Sequence, residues 1–308
     1  MPAIAETSFV DPTGLEGAVR RIAVIGYGLI GGSLARAVHA RSATNQVRIW
    51  DPEDAARRVA TEQIGAKCVA TSLSAAVAGA ELVVIAVPTR FFAAVFRDVM
   101  AAAGPATVVS DVASVKGAIV DAVRGLPLQQ LSRFVPAHPI AGSEQSGAAY
   151  SRPDLFTNCQ LILSPMQETA AGPLQAVFEF WRDLQTRVTV MSPKAHDEVY
   201  SAVSHFPHLL AFAYLGALAA SNAGHDYAAM AGPGFRDFTR IAGSDQMLWA
   251  DICVSNRQAL LNDIGNFRRE FEHLCTLLGE GDRVGLSERF AAGRQLRLAF
   301  ERHAATAA

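Results

Sequence analysis

The sequence predicts an α/β fold, in which a doubly wound, mainly parallel sheet is followed by an all-α domain. Short β-branched runs alternate with helical stretches in the first part of the chain, from Arg21 onwards. Strand signals stop after Met191, and long helical stretches take their place. Alternating strands and helices are typical of a parallel sheet that is covered on both faces. The 308 residues are enough for two domains, which we place at residues 1–191 and 192–308.

The amino-acid composition argues against several classes of protein. Hydrophobic residues make up 50% of the chain, charged residues make up 18%, and the formal net charge is −2. Such a chain can bury a large core, which a disordered chain cannot. A net charge near zero provides no field that would attract nucleic acid or anionic lipid, so we expect neither as a partner. A small anionic substrate would therefore need local cations.

Cysteine usage and the N-terminus indicate a cytoplasmic protein. The cysteines at positions 68, 159, 253 and 275 do not have the close spacing of a zinc or redox motif. We therefore expect free thiols in a reducing compartment. The first residues, MPAIAETSFVDP, lack the basic and apolar regions of a signal peptide.

The elements of the first domain follow from short apolar runs and the helical stretches between them. The predicted strands are RIAVIG, VRIW, KCVA, ELVVIAV, TVVSDV, RFVPAHP, NCQLILSP and RVTVM. Helices are predicted for LARAVHAR, for a stretch near Pro52–Gln63, and for Thr169–Leu184.

The second domain begins with SPKAHDE, in which Ser192 is a suitable N-cap and Pro193 occupies the first helical position. This helix is predicted to run to about Asn222. It should kink at Pro207, which removes a backbone donor and crowds the preceding turn. Its apolar run Leu209–Ala220 is too short to span a membrane and is predicted to be buried on all sides.

Two further helices complete the predicted domain. One covers Ser244–Leu278 and is stopped by Gly279 and Gly281, and the other continues to near the C-terminus. These helices carry more apolar residues than a small helical layer can bury alone, which predicts a homodimer. The residues concerned are Leu248, Trp249, Ile252, Leu260, Leu261, Val284, Phe290 and Phe300.

A glycine-rich turn predicts a dinucleotide site and makes the first domain Rossmann-like. The pattern G-x-G-x-x-G follows the first strand and opens a helix, and Asp51 at the end of the next strand lies 20 residues beyond it. The first glycine permits the turn, the second lets a diphosphate approach, and the third lets the helix pack on the sheet. Free N–H groups at the helix N-terminus face the diphosphate. The predicted cofactor-binding residues are Gly26, Gly28, Leu29, Ile30, Gly31 and Asp51.

Asp51 also bears on the choice between NAD and NADP. Its carboxylate can accept hydrogen bonds from both ribose hydroxyls and would repel a 2′-phosphate. Arg48, Arg57 and Arg58 are nearby in sequence and could compensate. We predict NAD as the cofactor, with NADP less favoured.

Two candidate catalytic residues follow predicted strands. Ser114 lies just after TVVSDV, where it could contact a ligand or cap the next helix, and local reasoning favours the cap. His138 precedes Pro139, which keeps the histidine extended at the end of a strand. It could act as a base or be a structural histidine, and local reasoning alone favours the latter. Glu144 follows in a loop, where polar residues are often only solvated.

The helical half offers two further groups of polar residues. His205 and His208 in SHFPH share a helix face, but no surrounding ligand pattern supports a metal site, so no metal is predicted. In GFRDFTRIA, Arg240 could hold a carboxylate through two hydrogen bonds or form a surface ion pair with Asp237.

Together, these stretches closely resemble those of the prephenate/arogenate (cyclohexadienyl) dehydrogenases. The resemblance extends from Arg21 to about Asn256 and includes GYGLIGGS, DVASVKG, HPIAGSEQSG followed by DLF, SHFPH and GFRDFTRIA. It implies an NAD-dependent enzyme of tyrosine biosynthesis that oxidatively decarboxylates prephenate to 4-hydroxyphenylpyruvate, arogenate to tyrosine, or both. It also implies that residues 1–191 bind the dinucleotide, and that residues 192–308 bind substrate and form a dimer.

The resemblance further implies roles for individual residues. His138 matches the base that takes the proton of the substrate's ring hydroxyl, so activity should fall at acidic pH. Ser114 matches a serine that assists at that hydroxyl, and Arg240 matches the arginine that holds a substrate carboxylate. The other substrate-binding positions are His205 and His208, which line the pocket, Glu144 in its polar network, and Trp249 near the dimer interface.

Three alternatives remain open at this point. A dehydrogenase for a related ring acid, such as 4-amino-4-deoxyprephenate, would use the same residues. A 3-hydroxyacid dehydrogenase shares the architecture but relies on a lysine in the helical half, and SHFPH and GFRDFTR argue against it. A non-catalytic NAD-binding redox sensor would not need Ser114, His138 and Arg240 together. The preference between prephenate and arogenate cannot be read from the sequence.

Overall fold

The computed structural model describes residues 19–41, 46–221, 227 and 229–307, and their side chains as far as residue 302. The chain forms two compact units, residues 1–257 and 258–308. The first unit contains both sheets and the candidate site. The domain boundary that the sequence predicts, between residues 191 and 192, lies inside this unit, and the functional division stays a prediction.

Five parallel strands form the main sheet: β1 (Arg21–Ile25), β2 (Gln46–Trp50), β3 (Leu82–Ile85), β4 (Val108–Asp111) and β5 (Phe134–Val135). Their order is β2-β1-β3-β4-β5. The direction of strand addition therefore reverses between β1 and β3. In open parallel sheets, ligands bind beyond the carboxyl ends of the strands at such a point.

Three strands form a second, smaller sheet: β6 (Ala137–Ile140), β7 (Gln160–Leu163) and β8 (Arg187–Val190). Strand β7 pairs antiparallel with β6 and parallel with β8. The run RFVPAHP, predicted as one strand, is instead divided at Pro136 into β5 and β6, which belong to different sheets. Proline has no N–H to donate to a ladder, which makes it a natural point for a chain to change sheets.

The prediction of a strand at KCVA was wrong. Residues Ala66–Cys68 form a 3₁₀ turn, and Val69 makes an isolated bridge to Ile49. A short apolar run that follows a helix-ending glycine can pack against a sheet without joining it, and periodicity cannot separate the two cases.

Helices cover both faces of the main sheet. Neighbouring residues of β1 point to opposite faces, so that Val24 packs in one core cluster with Trp181, whereas Ile25 packs in the other with Phe96. This two-sided burial explains why the strands are apolar throughout. The helices are α1 (Leu29–Arg41), α2 (Asp54–Ile64), α3 (Leu73–Val77), α4 (Thr89–Ala102), α5 (Lys116–Val123), α6 (Leu128–Leu131) and α7 (Ala171–Asp183).

The first helix of the predicted second domain is present in two parts, α8 (Pro193–Tyr200) and α9 (Phe206–Ala219). The Ser192 hydroxyl accepts a hydrogen bond from the N–H of Ala195, which confirms the predicted N-cap. A π-helical turn, Ser201–His205, joins the two parts just before Pro207. The missing N–H of the proline accounts for a disturbed ladder at this point.

The apolar run in α9 is not buried on all sides, contrary to expectation. Ala211 is buried, but Tyr214 is 46% exposed. The complete helical stretch Pro193–Ala219 is long and apolar enough to cross a membrane, judged by length and composition alone. The predicted limit near Asn222 lies outside the described residues.

The predicted helix Ser244–Leu278 is divided at Asn256, which leaves the helical conformation. The second part ends at Gly281, where φ is +68°, whereas Gly279 lies within the helix. Within the part of the chain that the structure describes, the remaining α-helices are α10 (Pro233–Thr239), α11 (Gln246–Ser255), α12 (Arg257–Glu280) and α13 (Arg283–Ala307).

Candidate active site

A cleft of about 860 Å³ opens beyond the carboxyl ends of β1, β3 and β4. The glycine turn after β1 and the segment Val112–Ser114 after β4 form part of its wall. The π-helical turn and α11 contribute other parts. The cleft brings together all seven residues that the sequence analysis assigned to catalysis and substrate binding: Ser114, His138, Glu144, His205, His208, Arg240 and Trp249.

The glycine turn has the geometry that a diphosphate requires. A Cβ atom on Gly26, whose φ is +101°, would lie 2.4 Å from the carbonyl oxygen of Ala86, and one on Gly31 would lie 2.0 Å from the carbonyl oxygen of Gly26. No described atom lies within 4 Å of the Cβ position on Gly28, which lines the cleft. Gly26 and Gly31 are therefore fixed by packing, and Gly28 leaves space in front of the helix N-terminus.

Asp51 is held in place at the end of β2. One carboxylate oxygen accepts the N–H of Tyr27 at 2.7 Å, and the other accepts the N–H of Glu53 at 2.8 Å. Two backbone donors thus orient the carboxylate and leave lone pairs for further hydrogen bonds. An oriented carboxylate next to the glycine turn fits the ribose of a dinucleotide.

Two of the three arginines near Asp51, Arg48 and Arg57, have other partners. Arg57 forms an ion pair with Asp54 and donates to the carbonyl oxygen of Asp51, and Arg48 donates to the carbonyl oxygen of Ala75 at 3.2 Å. These contacts favour NAD over NADP, because a guanidinium would have to leave them to hold a 2′-phosphate.

His138 lies in β6, and its partly buried ring lines the cleft. Its Nδ1 is 2.8 Å from Nε2 of His196, and Nδ1 of His196 is 2.8 Å from Oδ1 of Asp197. Burial lowers the pKa of His138 well below its ordinary value of 6.5, and the nearby His196, Lys116 and His205 add to this effect. His138 is therefore kept neutral, which is the form that can take a proton.

A buried ion pair lies behind His138. The Nζ of Lys116, which is fully buried, is 2.6 Å from Oδ2 of Asp111 and 2.5 Å from the carbonyl oxygen of Ala137. Burial lowers the pKa of Lys116, and the charge of Asp111 opposes this shift. The pair links the end of β4 to the start of β6 and so fixes the strand that carries His138.

Ser114 does not cap the helix that follows it, contrary to what local reasoning favoured. The N-cap residue of α5 is Val115, which has no side-chain oxygen. The capping acceptor is the carboxylate of Asp197, which accepts the N–H groups of Lys116 and Gly117 at 2.8 Å each. The side chain of Ser114 is thus left to line the cleft.

His205 and His208 line the cleft with their orientations fixed. Nδ1 of His205 accepts a hydrogen bond from Nδ2 of Asn256 at 3.0 Å, and Nδ1 of His208 donates to the carbonyl oxygen of Ser204 at 2.9 Å. The ring of His208 stacks on Trp249, with centroids 3.5 Å apart. Burial lowers the pKa of His205 to about 4 and also lowers the pKa of His208. Both rings are therefore neutral hydrogen-bonding groups at pH 7.

Arg240 forms an ion pair with Glu144 rather than with its sequence neighbour Asp237. The two charged groups are 3.8 Å apart, and their side chains are 65% and 49% exposed. An ion pair this open contributes little stability. The carboxylate of a ligand can therefore replace Glu144 as the partner of Arg240 at little cost in free energy. Arg240 is thus available to an anionic ligand in the cleft.

Comparisons with known proteins identify the family. A model described as "Prephenate dehydrogenase, nucleotide-binding domain" matches residues 34–190, and one described as "Prephenate dehydrogenase, dimerization domain" matches residues 192–292. The chain belongs to the prephenate dehydrogenase family. The resemblance seen in the sequence is confirmed, as is the predicted fold class.

Similar proteins of this family cover nearly the whole chain. A cyclohexadienyl dehydrogenase of Zymomonas mobilis is 31% identical over 92% of this chain and 96% of its own length. The crystal structure of prephenate dehydrogenase from A. aeolicus, in complex with hydroxyphenyl propionate and NAD+, has a TM-score of 0.85 and 29% identity and covers 93% of this chain and 100% of its own. A Synechocystis arogenate dehydrogenase has a TM-score of 0.75 and 25% identity, over 91% and 99% of the two chains.

Sequence reasoning missed the polar residues behind the cleft of this prephenate dehydrogenase family member. His196 and Asp197 appear in SPKAHDE, which indicated a helix start and nothing more. Lys116 was noted as part of a motif, and Asn256 only as the limit of the resemblance. The adjacent acid and histidine within one helical turn were a local signal, but the distance of 58 residues between His138 and His196 hides their contact.

Proposed function

We propose that the protein catalyses the NAD-dependent oxidative decarboxylation of prephenate to 4-hydroxyphenylpyruvate, of arogenate to tyrosine, or of both. The observation that carries this proposal is a neutral imidazole, His138, in the same cleft as the glycine turn and the open guanidinium of Arg240. A hydrophobic cleft with a few convergent polar groups is typical of a small-molecule site. The complex of the A. aeolicus relative with hydroxyphenyl propionate and NAD+ supports the same assignment.

The residues of the cleft divide the reaction between them. NAD+, when bound at the glycine turn and Asp51, supplies the acceptor for the hydride of the hydroxyl-bearing ring carbon. His138 takes the proton of the ring hydroxyl at its Nε2, and the hydroxyl of Ser114 orients that group. Arg240 holds a carboxylate of the substrate. When carbon dioxide leaves, the electron pair of the broken carbon–carbon bond stays with the ring, which becomes aromatic. This gain of aromaticity makes the reaction effectively irreversible.

The remaining residues position the ring. The stacked pair His208 and Trp249 provides a flat wall, and His205 presents its second nitrogen, which carries a proton because Nδ1 accepts from Asn256. Glu144 holds Arg240 when no substrate is bound. Positioning is the main task left to the protein, since the cofactor takes up the electrons.

The test is NADH or NADPH formation from prephenate and from arogenate with each cofactor. We expect kcat/KM to be higher with NAD+ than with NADP+, because Asp51 would repel a 2′-phosphate. The variant His138→Asn should bind NAD+ normally and lose most of its turnover, by roughly 10²- to 10⁴-fold. Turnover of 4-amino-4-deoxyprephenate, with none of prephenate or arogenate, would overturn the proposal. So would near-normal turnover of the variant.

We also propose that the protein is a cytoplasmic homodimer formed by its helical half. Leu248, Leu261, Val284, Phe290 and Phe300 are between 43% and 69% exposed in the single chain. Such apolar surface on helices is typical of a subunit interface. Of the residues predicted for this role, Ile252 and Leu260 are instead buried already in the single chain. The match to a dimerization domain supports the proposal, and a monomer in light scattering would contradict it.

A further inference from the structure

His196 is a fully buried histidine that has no place in the reaction as described so far. Its side chain is 0% exposed, and it lies behind the wall of the cleft rather than in it. Its two ring nitrogens are both engaged, one with His138 and one with Asp197, at 2.8 Å each. A buried imidazole held between a carboxylate and a candidate base is the arrangement by which proteins orient a base.

The direction of each hydrogen bond follows from the carboxylate. Asp197 can only accept, so Nδ1 of His196 carries a proton and donates it. Burial lowers the pKa of His196, which keeps the ring neutral and leaves its Nε2 without a proton. Nε2 of His196 must therefore accept from Nδ1 of His138. In a neutral His138, the proton on Nδ1 leaves Nε2 with a free lone pair.

We propose that His196 and Asp197 are positioning residues, which act through His138 by fixing the tautomer in which Nε2 is the base. This inference rests on the proposed role of His138 and adds residues to it. The reverse tautomer would present an N–H to the ring hydroxyl and could not take its proton. We call the hydrogen-bonded pair of His196 and Asp197 the relay. Without the relay, Nε2 of His138 would be free of a proton for only part of the time.

Asp197 is itself held through both its carboxylate and its backbone. Its carboxylate accepts the first N–H groups of α5, from Lys116 and Gly117, where the helix dipole favours a negative charge. Its backbone carbonyl accepts a hydrogen bond from Asn256. The ring of His196 also packs against Tyr200, with centroids 4.6 Å apart. The relay therefore starts from a fixed acceptor, which a tautomer-determining contact requires.

The relay also stabilises the charge that forms when His138 takes a proton. The carboxylate of Asp197 reaches that charge through His196, as a triad aspartate does for its histidine. The other titratable groups around the two rings are Lys116, whose charge is balanced by Asp111, and His205, which burial keeps neutral. A base without this support would be protonated less readily in the transition state.

The first experiment compares two substitutions of His196. In His196→Gln, the side-chain oxygen can reach the position of the imidazole Nε2 and accept from His138, whereas His196→Leu removes the acceptor. We expect a loss of kcat of about 100-fold for leucine and clearly less for glutamine, because general base catalysis is partly lost. KM for prephenate and the dissociation constant of NAD+ should change less than threefold, because Arg240 and the glycine turn are untouched. A kcat within twofold of the unsubstituted protein in the leucine variant would overturn the proposal.

A double-mutant cycle separates positioning from a structural role. If His196 acts through His138, His196→Leu should cause no further loss of kcat in a protein that already carries His138→Asn. If it only supports the fold, the same factor should be lost in both backgrounds, and the proposal would be wrong. Melting temperatures of all four proteins show whether each variant is folded.

A third measurement does not depend on turnover or on the folding of a variant at position 196. In ¹⁵N spectra of histidine-labelled protein, we expect His138 to be protonated at Nδ1 and not at Nε2, with its signals identified by their loss in His138→Asn. A proton on Nε2 would overturn the relay. If the tautomer is as expected but no substrate is turned over, the proposed function fails and the relay stands.

Discussion

At the scale of single residues, the surroundings of His138 set the pH range in which its ring can accept a proton. A histidine in water would lose its base form near pH 6.5. Burial lowers the pKa of His138 well below that value, and His196, Lys116 and His205 contribute in the same direction. A lowered pKa keeps the base form present to lower pH. We therefore expect kcat to stay constant as the pH falls through 6.5 and to decrease at more acidic pH.

The sequence predicted a loss of activity at acidic pH but gave no pH range. The lowered pKa of His138 places this loss below pH 6.5. The measurement is the pH dependence of kcat and kcat/KM with saturating NAD+. At each pH, a return to neutral pH should restore the activity, which shows that the protein has not unfolded irreversibly. An acidic limb with its midpoint at 6.5 or above would show that His138 is not shielded in this way, or that another group is the base.

Arg240 gives a second prediction at this scale. Removing its charge in Arg240→Gln should raise KM for prephenate by about 10- to 100-fold, which is the loss expected for one hydrogen bond to a charged group. Turnover at saturation should change much less, because the carboxylate is bound in both the ground state and the transition state. The control is Arg236→Gln, one helical turn earlier and outside the cleft lining. Equal KM values for the two variants would mean that another cation binds the substrate.

The roles of single residues were the least accessible from sequence. Local reasoning favoured Ser114 as a helix cap and His138 as a structural histidine, and the resemblance to a family was needed to reverse both. The cap on α5 is Asp197, which comes from a helix about 80 residues later in the chain. Contacts of this kind depend on how two elements pack, and no spacing in the sequence reports them.

At the scale of elements, most strands and helices were predicted because their periodicity matches their burial. The strands of the main sheet are apolar throughout, as strands covered on both faces are. The error at Asn256 has a tertiary cause: the side chain of Asn256 donates hydrogen bonds to Asp197 and His205 at a point where the helical pattern is continuous along the chain.

The packing of α5 on α8 gives a prediction at this scale. A Cβ on Gly117 would lie 2.7 Å from Oδ2 of Asp197, so Gly117→Ala must push that carboxylate away. Because Asp197 holds His196, we expect kcat to fall by roughly tenfold, which is less than the 10²- to 10⁴-fold that a general base typically contributes. KM for prephenate should change little.

The matched control for this prediction is Gly279→Ala. Gly279 also lies in a helix, and no described atom lies within 4 Å of its Cβ position. Alanine there should leave kcat unchanged and stabilise the helix by up to about 1 kcal/mol. If both glycine variants retain full turnover, the position of the Asp197 carboxylate does not matter for catalysis.

At the scale of the whole molecule, the buried and partly buried histidines around the cleft make the fold sensitive to acid. The pKa values of His138, His196, His205 and His208 are all lowered, chiefly by burial. Between the lowered pKa and the ordinary value of 6.5, the unfolded chain binds more protons than the folded chain. The free energy of unfolding therefore rises with pH in that window. The stability that these histidines contribute is lost progressively as the pH falls below 6.5.

His205 allows the size of this effect to be tested. Its pKa of about 4 in the folded protein implies a loss on the order of 2 kcal/mol at pH 5, from about 1.4 kcal/mol per unit. We expect the urea midpoint to fall between pH 7 and pH 5, and to fall less in His205→Gln, whose side chain can still accept from Asn256. His273→Gln, at an exposed position on α12, should keep the full pH dependence. All midpoints must be compared at one protein concentration, because the proposed dimer would be stabilised by mass action. If the urea midpoint falls equally between pH 7 and pH 5 in all three proteins, the histidines of the cleft do not limit stability in acid.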